Sequence, residues 1–159
     1  MKNVVKVKKL DPRAIIPSKS TSGAACFDVS CIEDVLISVG HNYTIRTGLA
    51  FEVPEWYYLE IVPRSGLSSK GLMLANSPAT LDSDYRGELL LLLYLRPNLW
   101  NCSILPDYNR FMSFKAGDRI VQCRLHKVEP CKFVEATELS STVRADGGLG
   151  HTGTKPLTA

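Results

Sequence analysis

"LLLLLYL", residues 89–95, is the most apolar segment of the chain. It is far too short to cross a bilayer, which takes a helix of about 20 residues. A run of this length between an Arg-Gly turn and Arg96-Pro97 reads as a strand buried on both faces. With it, taken as 88–95, segments rich in Val, Ile, Leu or Tyr mark strands at 35–39, 43–53, 57–62 and 119–134. "VVKVKKL" (4–10) alternates Val5 and Val7 against Lys6 and Lys8, the pattern of a strand with one wet face. Pro, Gly, Asn and Asp cluster between these segments, at 11–23, 40–42, 63–71, 75–87, 96–109 and 115–118. Strands with turns at short intervals predict an all-β barrel or sandwich. Helix is hinted at only as single turns near 67–70 and 107–112.

The 159 residues suit one domain with a real core, and no internal repeat divides them. Nineteen basic against 16 acidic residues give a net charge of +3, much of it from Lys2, Lys6, Lys8 and Lys9. That charge is too weak and too local for a nucleic-acid groove, and it suits a small polyanion. No stretch reaches 18 apolar residues, and the N-terminus lacks the apolar run of a signal peptide, so neither membrane nor export is expected. Cys26, Cys31, Cys102, Cys123 and Cys131 show no zinc spacing. They read as free thiols in a reducing compartment, cytoplasmic or nuclear.

Five segments concentrate chemistry. "PRSGLSSKG" (63–71) places the Arg64 fork, the Ser65 hydroxyl and the amides around Gly66 together, a set suited to phosphate oxygens or to a plain solvent turn. In "NSPATLDSDYRGE" (76–88), Asp82 and Asp84 share one face if extended; one acid can orient a water and the other serve a cation or tie down Arg86. The same residues also suit a polar hairpin. Asp28, in "AACFDVS" (24–30), is an acid in an apolar strand and needs an ion pair, a backbone amide or a nearby metal. In "GDRIVQ" (117–122), Gln122 donates to a phosphate or finishes a sheet edge, and Asp118 and Arg119 can pair. The tail "RADGGLGHTG" (144–153) carries Arg144, His151 and Thr152 among four glycines. Glycine is entropically expensive to order, so such a tail is either loose or a cover that orders on a charged ligand.

Taken in order, these segments resemble the five motifs of the trimeric dUTP pyrophosphatases (dUTPases), spanning residues 24–153. The resemblance implies a distorted jelly-roll or β-clip barrel over 1–139, and a flexible glycine-rich arm over 140–159 that closes over a neighbouring subunit's site. It implies hydrolysis of dUTP to dUMP and pyrophosphate with Mg2+, which limits uracil in DNA and supplies dUMP for thymidylate synthesis. Asp82 then orients the attacking water, and Tyr85 packs on the deoxyribose, leaving no room for a 2′-hydroxyl. Backbone groups from Asn76 through Thr80 and Leu81 to Asp82 read uracil. Arg64, Ser65, Gly66 and Gln122 bind phosphates, while Arg144, Leu149, Gly150, His151 and Thr152 belong to the arm. Asp28 matches an acid of the metal region that acts through water.

The chain departs from the family pattern in several places. Cys26, Ala79 and Ala145 replace glycines, and the 96–109 excursion is longer than the usual link, with three roles open to it: plugging the rim, touching a neighbouring subunit or binding a protein partner. A dUTPase-like regulatory protein with weak catalysis is one alternative function. A dCTP deaminase is another, although Glu88 follows the Arg-Gly turn and no other glutamate stands in the hairpin. Leu149 replaces the phenylalanine that stacks over uracil, a loss of about 0.5–1.5 kcal/mol. Leu149→Phe is therefore expected to raise turnover or lower KM for dUTP; steady-state kinetics showing neither change would contradict this reading of Leu149.

Overall fold

The computed structural model describes residues 3–97 and 110–148. In chain order its elements are β1 (Lys6–Lys9), β2 (Phe27–Ser30), β3 (Val35–Ser38), β4 (Asn42–Glu52), β5 (Tyr57–Pro63), α1 (Ser65–Ser68), β6 (Leu72–Leu74), β7 (Ala79–Leu81), β8 (Glu88–Leu95), β9 (Phe111–Phe114) and β10 (Arg119–Lys127). They form two four-stranded sheets, ordered β1-β4-β8-β6 and β2-β10-β5-β7, and a two-stranded sheet β3-β9. Every named strand pair is antiparallel. The architecture is the expected all-β one, of jelly-roll type.

The leucine run forms the centre of the first sheet, between β4 and β6. Leu89, Leu91, Leu93 and Leu95 are buried in the core with Ile45, Leu49, Phe51, Leu72 and Leu74. The expected burial on both faces does not hold within the single chain, because Leu90 and Leu92 are 45% and 39% exposed. Successive side chains of a strand point to opposite faces, and only one face of this sheet meets the chain's own core. Across that core, Val29, Leu59, Ile61, Val121 and Cys123 supply the inner face of the second sheet.

The β4–β8 register shifts between Arg46 and Ala50, where Gly48 adopts φ +65°. A β-carbon there would lie 3.0 Å from those of Ala14 and Asp11, so conformation and space both demand glycine. The irregularity turns the Gly48 amide toward Glu88, to which it donates at 2.8 Å. Beside it, the buried Thr47 hydroxyl donates to the Leu89 carbonyl at 2.7 Å.

The strand expected over 119–134 stops at Lys127, opposite Tyr57 at the start of β5. Val128 still donates to the Trp56 carbonyl, but Pro130 has no amide to continue the ladder. A first compact unit closes at Glu129 and a second begins at Pro130. Among its described residues the second unit carries neither strand nor helix, and Phe133 and Leu139 are 96% and 90% exposed. The expected helical turn near 107–112 is instead strand β9 from Phe111 onward; residues 107–109 lie outside the described set. No helix among the described residues is long and apolar enough to cross a membrane.

Cys26, Cys31, Cys123 and Cys131 are free thiols, and Cys102 lies outside the described residues. Burial pushes the Cys123 thiol up to about 12 and raises that of Cys31. Both therefore stay protonated near neutral pH, while Cys131 is exposed. Iodoacetamide at pH 8 is expected to alkylate Cys131 in the native protein and to reach Cys31 and Cys123 only after denaturation. Peptide mass spectrometry checks the order.

Candidate functional site

β5 delivers Arg64 to the mouth of a cavity of about 420 Å³ lined by Ser20, Asp28, Arg64, Ser65, Gly66, Leu67, Lys70 and Gln122. Three strands converge there, since Gln122 pairs with Asp28 on one side and with Val62 on the other. The acid that the sequence left without a partner is held by two guanidiniums. Asp28 Oδ1 lies 3.1 Å from Arg64 Nε, and Oδ2 lies 2.9 Å from Arg119 Nη1. Ser20 Oγ donates to Oδ2 at 2.9 Å, and Arg64 Nη1 donates to the Arg119 carbonyl at 2.8 Å. Gln122 sits in the middle of its sheet and donates to the Pro63 carbonyl at 3.0 Å, so it finishes no edge. Nor does Arg119 pair with Asp118, whose carboxylate accepts the Lys115 amide at 2.7 Å.

This arrangement has a chemical consequence. Asp28 offsets only part of the positive charge of Arg64, Arg119 and Lys70, so the cavity favours an anion. A β-carbon on Gly66 would meet nothing within 4 Å, so the chain's own packing does not require glycine there. The Leu67 and Ser68 amides already donate to the Arg64 carbonyl at 2.9 Å, so the amides that precede them, of Ser65 and Gly66, are the ones that can face a ligand. Ser20 and Lys70 were missed in the sequence reading. Neither belongs to a periodic pattern, and only tertiary folding brings residue 20 against residues 28 and 119.

A second cavity, of about 310 Å³, holds the other group of expected residues. Asn76, Ala79, Thr80, Leu81, Asp82 and Tyr85 line it together with Ile61, Glu88, Leu89, Leu90 and Leu92. β7 anchors this hairpin on β5, with Leu59 opposite Leu81 and Ile61 opposite Ala79. Asp82 and Asp84 do not lie on an extended segment; a turn intervenes, closed by the Tyr85 amide on the Asp82 carbonyl at 3.3 Å. Arg86 is tied by carbonyls, of Ser83 at 2.6 Å and Tyr85 at 2.9 Å, and no carboxylate among the described residues holds it. Glu88 accepts from Arg46 and Gly48. That commits its carboxylate to the β4–β8 junction.

The two cavities share no lining residue. The pairing of Leu81 with Leu59 puts Asp82 level with Tyr58, at the opposite end of β5 from Arg64. Six residues of strand separate those levels, about 20 Å. Arg144 belongs to the second unit, where its Nε donates to the Gly147 carbonyl at 2.8 Å. Ala145 adopts φ +45°, a conformation glycine takes without strain. Leu149, Gly150, His151 and Thr152 lie outside the described residues.

Among the described residues, no three of His, Cys, Asp and Glu gather as metal ligands. The family model for dUTPase matches residues 12–153. The chain belongs to the dUTPase family. It is 42% identical over 150 residues to the deoxyuridine 5′-triphosphate nucleotidohydrolase of Nautilia profundicola, covering 94% of this chain and 98% of that one. It is equally identical over 151 residues to the enzyme of the same name from Hydrogenobaculum sp., covering 94% and 97%. In fold it is similar to a variant dUTPase of Staphylococcus bacteriophage 80alpha with dUpNHpp, at a TM-score of 0.82 and 21% identity over 96% of this chain and 100% of that one. A variant dUTPase of phage phi11 of S. aureus, which coordinates a structural Mg(II) ion, superposes at 0.74 and 21% identity over 87% and 100%.

The Asp28 cluster gives this dUTPase-family fold a measurable dependence. Asp28→Ala leaves two guanidiniums facing each other without their carboxylate and is expected to cost about 1–3 kcal/mol, discounted for the partial exposure of both arginines. Urea unfolding at fixed protein concentration reads the loss. An unchanged midpoint would show that the cluster does not hold the cavity together.

Proposed function

We propose that this chain hydrolyses dUTP to dUMP and pyrophosphate, as a homotrimer whose sites are shared between subunits. Family membership and the names of its close relatives support the reaction. One observation carries the shared site: Arg64, at the mouth of the cationic cavity, and Asp82, in the hairpin cavity, stand about 20 Å apart along β5 in one chain, and the two cavities share no lining residue. A triphosphate in the first cannot reach the acid of the same chain, so a second copy must bring its hairpin to it. The outward apolar row of Leu90, Leu92 and Met73 gives such copies a surface to bury.

In the assembled site, Arg64, Ser65, Gly66 and Gln122 bind the phosphates. A neighbour's hairpin from Asn76 to Asp82 receives uracil through backbone groups, including those of Thr80 and Leu81. Cytosine reverses donor and acceptor at its 4-position and leaves those buried groups unpaired. Tyr85 packs on the deoxyribose. Asp82 accepts a proton from a held water as its oxygen bonds to the α-phosphorus and the bond to the pyrophosphate oxygen breaks. Residues 140–159 act as the arm, with Arg144, His151 and Thr152 on the outer phosphates and Leu149 and Gly150 over the base.

Magnesium is the proposed cofactor. The donors present fit an ion that arrives with the triphosphate, because the phosphate cavity supplies one carboxylate, already shared between two guanidiniums. Mg2+ keeps several waters and takes phosphate oxygens readily, so Asp28 would hold it through water. When bound, the ion neutralises charge on the triphosphate and the departing pyrophosphate. The free thiols fit an intracellular setting, cytoplasmic or nuclear.

Two measurements test the reading. Purified protein with magnesium and each dNTP in turn is expected to release pyrophosphate and dUMP from dUTP alone, and Asp82→Asn to lower the rate by about 10²–10⁴-fold. Release from dTTP at a similar rate would contradict the narrow uracil slot. Asp82→Asn and Arg64→Ala chains, each inactive alone, are then refolded together. Random mixing restores about a quarter of the sites if each joins one chain's Arg64 to another's Asp82; no recovery would contradict the sharing.

A further inference from the structure

Tyr85 is an exposed aromatic whose position is nevertheless defined. Its ring is 46% exposed, and its Oη donates to the Glu88 carbonyl at 3.2 Å. Beneath it lies Gly87. A β-carbon built on Gly87 falls 2.6 Å from Tyr85 Cζ and 3.1 Å from Cε2, and closer still to Oη. Real β-carbons do not approach other atoms so closely, and Gly87 has no positive φ that would call for glycine on conformational grounds. The missing side chain is therefore space occupied by the tyrosine ring.

The other half of this seat is held from the adjacent strand. Glu88 opens β8, and its carboxylate accepts from the Gly48 amide at 2.8 Å and from Arg46 Nε and Nη2 at 3.1 Å. These bonds fix the residue whose carbonyl receives the tyrosine hydroxyl. The β4 irregularity that exposes the Gly48 amide thus reaches, through Glu88, to the orientation of Tyr85.

We infer that Gly87 is a positioning residue: its bare Cα and the Glu88 carbonyl seat the Tyr85 ring, and this seat sets the preference for a deoxyribose over a ribose. The inference rests on Tyr85 being the wall against the sugar. A methyl at position 87 has to displace something, and the ring is the part free to yield, because it is the exposed end of a side chain rather than backbone. Gly87→Ala is thus expected to fold, with the ring swung away and room opened for a 2′-hydroxyl.

The test is a double-mutant cycle on the full chain, reading kcat/KM for dUTP and for UTP with magnesium, together with the thermal midpoint. Gly87→Ala is expected to lower the dUTP/UTP ratio by about tenfold or more with a nearly unchanged midpoint. Tyr85→Ala lowers the ratio at least as far, and adding Gly87→Ala to it lowers the ratio no further. An unchanged ratio in Gly87→Ala beside a reduced one in Tyr85→Ala overturns the inference and leaves the sugar-wall reading standing. An unchanged ratio in Tyr85→Ala removes the sugar-wall reading itself. A further fall in the double variant, or a Gly87→Ala chain that does not fold, also overturns the inference, because the methyl would then act on something other than the ring.

Discussion

Strand β5 keeps the two chemical halves of the molecule apart. It is seven residues long, with Arg64 directly after its last residue and Asp82 level with its first residues through the pairing of β7. An extended backbone cannot shorten that distance, since a strand advances about 3.3 Å per residue and is fixed by hydrogen bonds on both sides. A chain built this way holds a cationic cavity and a hairpin cavity that share no lining residue. The proposal that sites are shared between copies rests on this constraint.

The cationic cavity depends in turn on Asp28. Its carboxylate holds Arg64 and Arg119 at 3.1 and 2.9 Å, with Ser20 on the same oxygen as Arg119. Two guanidiniums this close would repel each other without the acid between them. With it, Arg64 is fixed at the cavity mouth, and donors remain for an anion. The same engagement limits what Asp28 offers a cation, so the proposed metal would draw most of its ligands from substrate and water.

The hairpin cavity is organised by absences as much as by groups. Gly48 takes φ +65° at the β4 irregularity, which aims its amide at Glu88, and Gly87 has no side chain, so the Tyr85 ring can lie against the backbone. Both glycines serve a neighbour's position. Glu88, whose place after the Arg-Gly turn already spoke against a deaminase, is bound by Arg46 and Gly48 and leaves little for proton transfer.

The sequence by itself determined the all-β class, the strands rich in apolar residues and the set of loops that carry chemistry. A buried strand must alternate or be wholly apolar, and a turn must use residues that tolerate tight backbone, so both leave local marks. The three-residue strands β6 and β7 left none, being too short to show a period. Tertiary structure decided which groups meet: Arg119 with Asp28 across 91 residues, Ser20 with both, and Glu88 with Gly48 across 40. It also decided that β8 turns a row of leucines outward, and that Arg64 and Asp82 of one chain stay apart. Side-chain pairing over such separations depends on strand order and register, which arise when the whole sheet forms and are not written in any single segment.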